Sequence, residues 1–60
     1  MKLADALKLH NEDEVTVKKT GYVSQVVEVE ITPAEHTTNH MTCVDVMLMD
    51  GNWYGYKEIK

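Results

Sequence analysis

The chain has 60 residues, 43% of them hydrophobic, and a formal net charge of −4. That length holds one domain at most, and the apolar share is that of an ordinary folded protein, which argues against a disordered tail or a multidomain enzyme. All six basic residues are lysines, at 2, 8, 18, 19, 57 and 60; from Thr20 to Tyr56 the only charged side chains are Glu28, Glu30, Glu35, Asp45 and Asp50, so the body lacks the Lys and Arg cluster that a duplex-binding surface needs.

Residues 2–9 set Leu3, Ala6 and Leu7 at helical spacing and predict a short amphipathic helix. The same stretch is interrupted by Lys2, Asp5 and Lys8, so it is not an apolar leader, and no run approaches the roughly 20 apolar residues that cross a bilayer. The polar run Asn11-Glu12-Asp13-Glu14 ends the helix, and residues 13–60 read as a β body. Val15 to Lys18 alternates with period two, Thr20-Gly21 signals a turn, and Tyr22 to Thr32 forms a long strand. Its second half alternates cleanly, with Val27, Val29 and Ile31 on one face and Glu28, Glu30 and Thr32 on the other. The Val26-Val27 doublet breaks that phase and predicts a bend or bulge.

Pro33 ends the strand, and the stretch to His40 is a polar loop. Met41 to Met49 is the next strand, with Val44, Val46 and Leu48 on one face and Cys43, Asp45, Met47 and Met49 on the other. Cys43 is the only cysteine, which excludes a disulfide within the chain and suits a reducing, cytoplasmic compartment. Asp50-Gly51 predicts a two-residue type I′ turn into a last strand, Asn52 to Tyr56. Lys57 to Lys60 makes a final turn that tucks Ile59 into the core.

The predicted turn sets Leu48 opposite Trp53, Met47 opposite Tyr54 and Asp45 opposite Tyr56. Apolar matching sets Ile31 opposite Val44, Val29 opposite Val46 and Val27 opposite Leu48. One sheet face then carries Val27, Val29, Ile31, Val44, Val46, Leu48 and Trp53 as core. The other carries Val26, Met47, Met49 and Tyr54, bordered by Glu28, Glu30, Asp45 and Tyr56. The N-terminal helix, a partner protein or a second copy of the chain must cover that second face.

The rhythm of Val15 to Gly21, the long bent strand, the strand closing in Asp50-Gly51, Trp53-Tyr54-Gly55-Tyr56 and the terminal turn with Ile59 resembles SH3-like small barrels of the KOW and Tudor types, over residues 13–60. The resemblance implies a binding module for proteins, peptides or nucleic acid rather than an enzyme. The acidic body departs from RNA-binding KOW modules. A Tudor-type cage would have only Tyr22, Trp53, Tyr54 and Tyr56 to draw on. The fold expected is mostly β, a small SH3-like barrel or a strongly bent antiparallel sheet with a short N-terminal helix.

Three constellations bear on chemistry. His36, His40 and Cys43 are zinc-ligand types, with Glu35 or Asp45 as a further donor, but they match no metal-site spacing, and exposed loop histidines with a small thiol are the preferred reading. Glu28, Glu30 and Asp45 form a carboxylate group whose preferred reading is a solvated acidic face, partly neutralised by a lysine from the chain ends. Met47, Met49, Tyr54 and Tyr56, with Glu28 and Asp45, form the favoured partner-binding surface, because Met adapts its shape and Tyr offers area with a polar tip. The chain is thus expected to be a non-catalytic protein-interaction module without cofactor, of the kind found among small bacterial or phage accessory proteins and inhibitors, with a homodimer as a further possibility. The alternative is a nucleic-acid module using Lys18, Lys19, Tyr22, Lys57 and Lys60.

Overall fold

The ten-residue strand from Val23 to Thr32 organises the molecule, which is described here over all residues 1–60 by a computed structural model. Four antiparallel strands follow one another in a single sheet: β1 (Glu14–Thr16), β2 (Val23–Thr32), β3 (Cys43–Leu48) and β4 (Trp53–Gly55). A one-turn helix, α1 (Leu3–Ala6), precedes them, and 3-10 turns occupy Ala34–His36 and Tyr56–Glu58. The mostly β expectation holds in its bent-sheet form, since the four strands do not close into a barrel. No helix is long and apolar enough to cross a membrane.

The phase break at Val26-Val27 is a bulge. Val26 faces Leu48 and Glu28 faces Met47, so Val27 is the extra residue. Beyond it Val29 faces Val46, Glu30 faces Asp45 and Ile31 faces Val44, as apolar matching predicts. The pairing of Val27 with Leu48 is corrected: Val26 takes that place and is buried, while Val27 is displaced and exposed. The bulge lets two residues three apart, Val26 and Val29, lie on the same inner side, and it bends the strand.

The β3–β4 connection departs from the predicted turn by one residue. Leu48 N–H donates to the Asn52 carbonyl (3.1 Å) and Gly51 N–H to the Leu48 carbonyl (2.9 Å). Met49-Asp50-Gly51 is therefore a three-residue connection with Gly51 in the left-handed region at φ +82°. A type I′ turn needs positive φ at both central residues, and Asp50 does not have it. The register moves accordingly: Met47 faces Trp53, Val46 faces Tyr54 and Asp45 faces Gly55. Tyr54 thus lies on the core side and Trp53 on the outer side, the reverse of the expectation.

Val15, Val17, Val26, Val46, Leu48 and Ile59 form the central cluster, with Met1, Leu9, Val29 and Tyr54 packed against it. Ile59 is fully buried, as the terminal turn predicts, and Val17 bridges it in antiparallel fashion. Lys18 N–H donates to the Glu58 carbonyl (2.8 Å) and Lys60 N–H to that of Thr16 (2.9 Å). The expected helix over 2–9 is confined to Leu3–Ala6. Lys2 supplies no capping acceptor, and the bonds after Leu7 tighten to a Lys8 N–H on Asp5 and a Leu9 N–H on Ala6. So short a helix is held by packing rather than by its own bonds. Ala6 is fully buried, and Met1 and Leu9 rest on the inner cluster.

Candidate functional site

Because the N-terminal segment packs on the inner side of the sheet, the outer side is left to rows of cross-strand neighbours. One row runs Glu28, Met47, Trp53; the next runs Glu30, Asp45, Gly55; a third pairs Thr32 with Cys43. Met47, Asp45 and Cys43 are half-buried, Glu28 and Glu30 are exposed, and Trp53 keeps 43% of its surface in solvent. The register thus sets a thioether opposite an indole, with carboxylates in the flanking positions.

Gly55 tightens this acidic group. Its N–H donates to Glu58 Oε2 at 2.8 Å. A side-chain carbon built on Gly55 would lie 3.7 Å from both Asp45 Oδ1 and Glu58 Oε2, so Asp45 and Glu58 converge over a residue with no side chain of its own. No lysine lies in ion-pair contact with these carboxylates. Any screening of Glu28, Glu30 and Asp45 by lysines of the chain ends acts at longer range than an ion pair. Lys57, next to Glu58 in the chain, places its Nζ 6.0 Å from the centre of its neighbour Tyr56's ring.

Past Gly55 the chain leaves β3 for its 3-10 turn, and the sheet opens into a cleft of about 240 Å³. Cys43 and Gly55 belong both to the outer face and to this cleft, whose other walls include Met41, Tyr56 and Lys57. Among the expected partner-binding residues, Glu28, Asp45 and Met47 share the outer face, and Tyr56 lines the adjoining cleft. Met49 projects from the β3–β4 hairpin at 68% exposure. Tyr54 does not belong with them: it lies on the inner side, and its hydroxyl donates to Asp50 Oδ2 at 2.7 Å. That bond, followed by the Asn52 backbone N–H, holds the Asp50 carboxyl below its ordinary range, and the same bond raises the Tyr54 phenol above its own.

Trp53 is the member that sequence reasoning placed in the core. The residue responsible is Gly51, at φ +82°. A lone left-handed glycine after a type I turn adds a residue to the hairpin and turns Trp53 outward.

The lysines of the alternative reading do gather in part. The Val17–Ile59 bridge sets Lys18 beside Glu58 and Lys60 beside Thr16, with Lys19 in the turn that follows and Tyr22 opposite Val17. The Met1 amino group joins them by donating to the Ile59 carbonyl. Desolvation, and then the Lys18 charge, hold that amino group below its ordinary value.

His36, His40 and Cys43 are not brought together. His36 ends the 3-10 turn after Pro33, His40 stands at φ +56° in the loop, and Cys43 opens β3. No group of three His, Cys, Asp or Glu side chains is placed to hold a metal ion. The loop organises itself instead through Thr37, whose Oγ1 donates to the Met41 carbonyl (2.8 Å) and accepts the Met41 N–H (3.0 Å). Comparison of the chain with protein-family models, with curated proteins and with solved structures finds no match.

Proposed function

We propose that the chain is a non-catalytic protein-interaction module of the cytoplasm, an accessory or inhibitory protein that covers a basic surface on a larger partner. The observation that carries this reading is the Glu28–Met47–Trp53 row, left uncovered by the chain's own helix and bordered by Glu30, Asp45 and Glu58 with no lysine in ion-pair contact. A Trp beside a Met supplies desolvated contact area, and a surrounding acidic rim selects and steers a basic partner. The free thiol of Cys43 supports a reducing compartment.

The test is affinity capture on the tagged chain from lysate, with and without nuclease. A protein retained after nuclease is expected. Trp53→Ala should weaken its binding by roughly 30-fold, the effect of losing about 2 kcal/mol at an anchoring aromatic. Raised salt should slow its association. A protein retained equally by Trp53→Ala and by Met47→Lys would overturn this surface.

A second reading has one observation in its favour, the Val17–Ile59 bridge that collects Lys18, Lys60 and the Met1 amino group. Nucleic acid as the only specific passenger, lost on joint substitution of Lys18 and Lys60 by Gln, would establish it.

A further inference from the structure

β2 is longer than its neighbours can cover. On one side β3 pairs with it from Val26 to Thr32. On the other side β1 reaches only residues 23–25, and the last contacts are Val26 N–H to the Asp13 carbonyl and Glu12 N–H to the Val26 carbonyl. From Val27 onward no strand lies along that edge.

The direction of the backbone groups follows from alternation along an antiparallel pair. Leu48 bonds Asn52 toward β4. Cys43, Asp45 and Met47 therefore face β2, and their opposites Thr32, Glu30 and Glu28 face β3. Val29 and Ile31, between them, turn their N–H and C=O groups to the open side. Their side chains lie on the inner face, where Val29 is half-buried and Ile31 is 48% exposed. Those of Glu28 and Glu30 stand on the outer face, both exposed.

We propose that this open edge, Val27 to Thr32, takes up an extended segment of another protein as an added strand, one that alternates apolar and basic residues. The proposal rests on the protein-interaction reading and specifies how the partner is held. An added strand bonds the free groups of Val29 and Ile31, sets apolar side chains beside these two on the inner face, and sets Lys or Arg beside Glu28 and Glu30 on the outer face. Charge selects this occupant over a second copy of the chain. Two β2 edges paired about Val29 would place Glu28 of each against Glu30 of the other, and like charges directly opposite destabilise a pair. The bulge at Val27 marks where the added strand starts, because there the edge stops being covered by β1.

The test uses the full chain, isotope-labelled for NMR, and a short capped peptide alternating Lys and Val. Binding is expected to shift the Val29 and Ile31 amides and to slow their exchange with solvent. The same peptide with alternate backbone nitrogens methylated should not bind. Ile31→Pro removes an outward N–H at an edge position where proline is tolerated, so the fold is kept and peptide affinity should drop by about tenfold, the worth of one or two net hydrogen bonds. Glu28→Lys with Glu30→Lys should transfer preference to a peptide alternating Glu and Val.

A peptide that shifts only Met47, Asp45 and Trp53, with affinity unchanged by Ile31→Pro, would overturn strand addition while leaving the interaction module standing. Absence of peptide binding to the wild-type chain would also overturn it. So would sedimentation showing a dimer that Ile31→Pro dissolves, which would assign the edge to a second copy.

Discussion

Ser24 is the one polar residue in the buried set, and its hydroxyl ties together groups that β pairing leaves free. It donates to the Gln25 carbonyl at 2.9 Å and accepts the Met49 N–H at 3.0 Å. Ser24→Ala leaves that N–H without its partner and should cost about 1 kcal/mol in urea unfolding. Gly51 is constrained by conformation alone: at φ +82° an added side-chain carbon meets nothing within 4 Å. Gly51→Ala should therefore cost about 1–2 kcal/mol from the left-handed backbone, with no packing penalty. The Asp50–Tyr54 bond makes stability depend on pH at both extremes. Asp50 has a depressed pKa, so its contribution is present above the unfolded value of about 3.9 and fades as pH falls through the folded value. Tyr54 has a raised pKa, so its contribution is present below about 10 and fades as pH rises through the folded value. Tyr54→Phe should flatten the profile at both ends when urea midpoints are followed from acid to alkaline pH. Curves that stay parallel to those of the wild type would deny the bond that role.

The bulge in β2 and the glycine in the β3–β4 hairpin perform opposite operations on the sheet faces. Without Val27 the strand would still alternate correctly, since Val26, Glu28 and Val29 would fall inner, outer, inner; what it would lose is the bend. Deleting Val27 should therefore keep Val26 and Val29 inward yet carry β1 away from Ile59. The readout is faster exchange of the Lys18 and Lys60 amides, which close that bridge. This contrast explains what could be read from sequence. The Val26-Val27 doublet announced a bulge because two adjacent apolar residues break the alternation, but not which of the two is displaced: Val26, not Val27, turns inward. Ile31, Val29 and Glu30 found their partners in β3 because side-chain pattern records which face each residue needs. Asp50-Gly51 announced a turn but not its length: two-residue and three-residue hairpins both accept that dipeptide, and one residue of difference exchanges Trp53 with Tyr54. The open edge of β2 follows from how short β1 is relative to β2, a difference already carried by the short alternation at Val15 to Lys18 and the long run from Tyr22 to Thr32.

Residues from both ends of the chain complete one core. Met1 and Leu9 pack against it, and Ile59 is fully enclosed by it. A domain of this size has only about 3–9 kcal/mol of stability, and truncating a buried Ile typically costs about 2–5 kcal/mol. Ile59→Ala should thus leave a substantial unfolded population by near-UV circular dichroism. Met47→Lys with Met49→Lys should instead remain folded, because neither side chain is enclosed; its unfolding would mean that the outer face is core after all. The late position of Ile59 also has a bearing on synthesis. Val17 has left the ribosome's active centre long before Ile59 is added, so the nascent chain carries β1, the bulged strand and the hairpin without the residue that seals them together. Translation adds about 5–20 residues per second, slow beside the formation of a hairpin in about 1–10 μs. The strands can therefore pair and separate many times over before Ile59 is joined to the chain and bridges Val17.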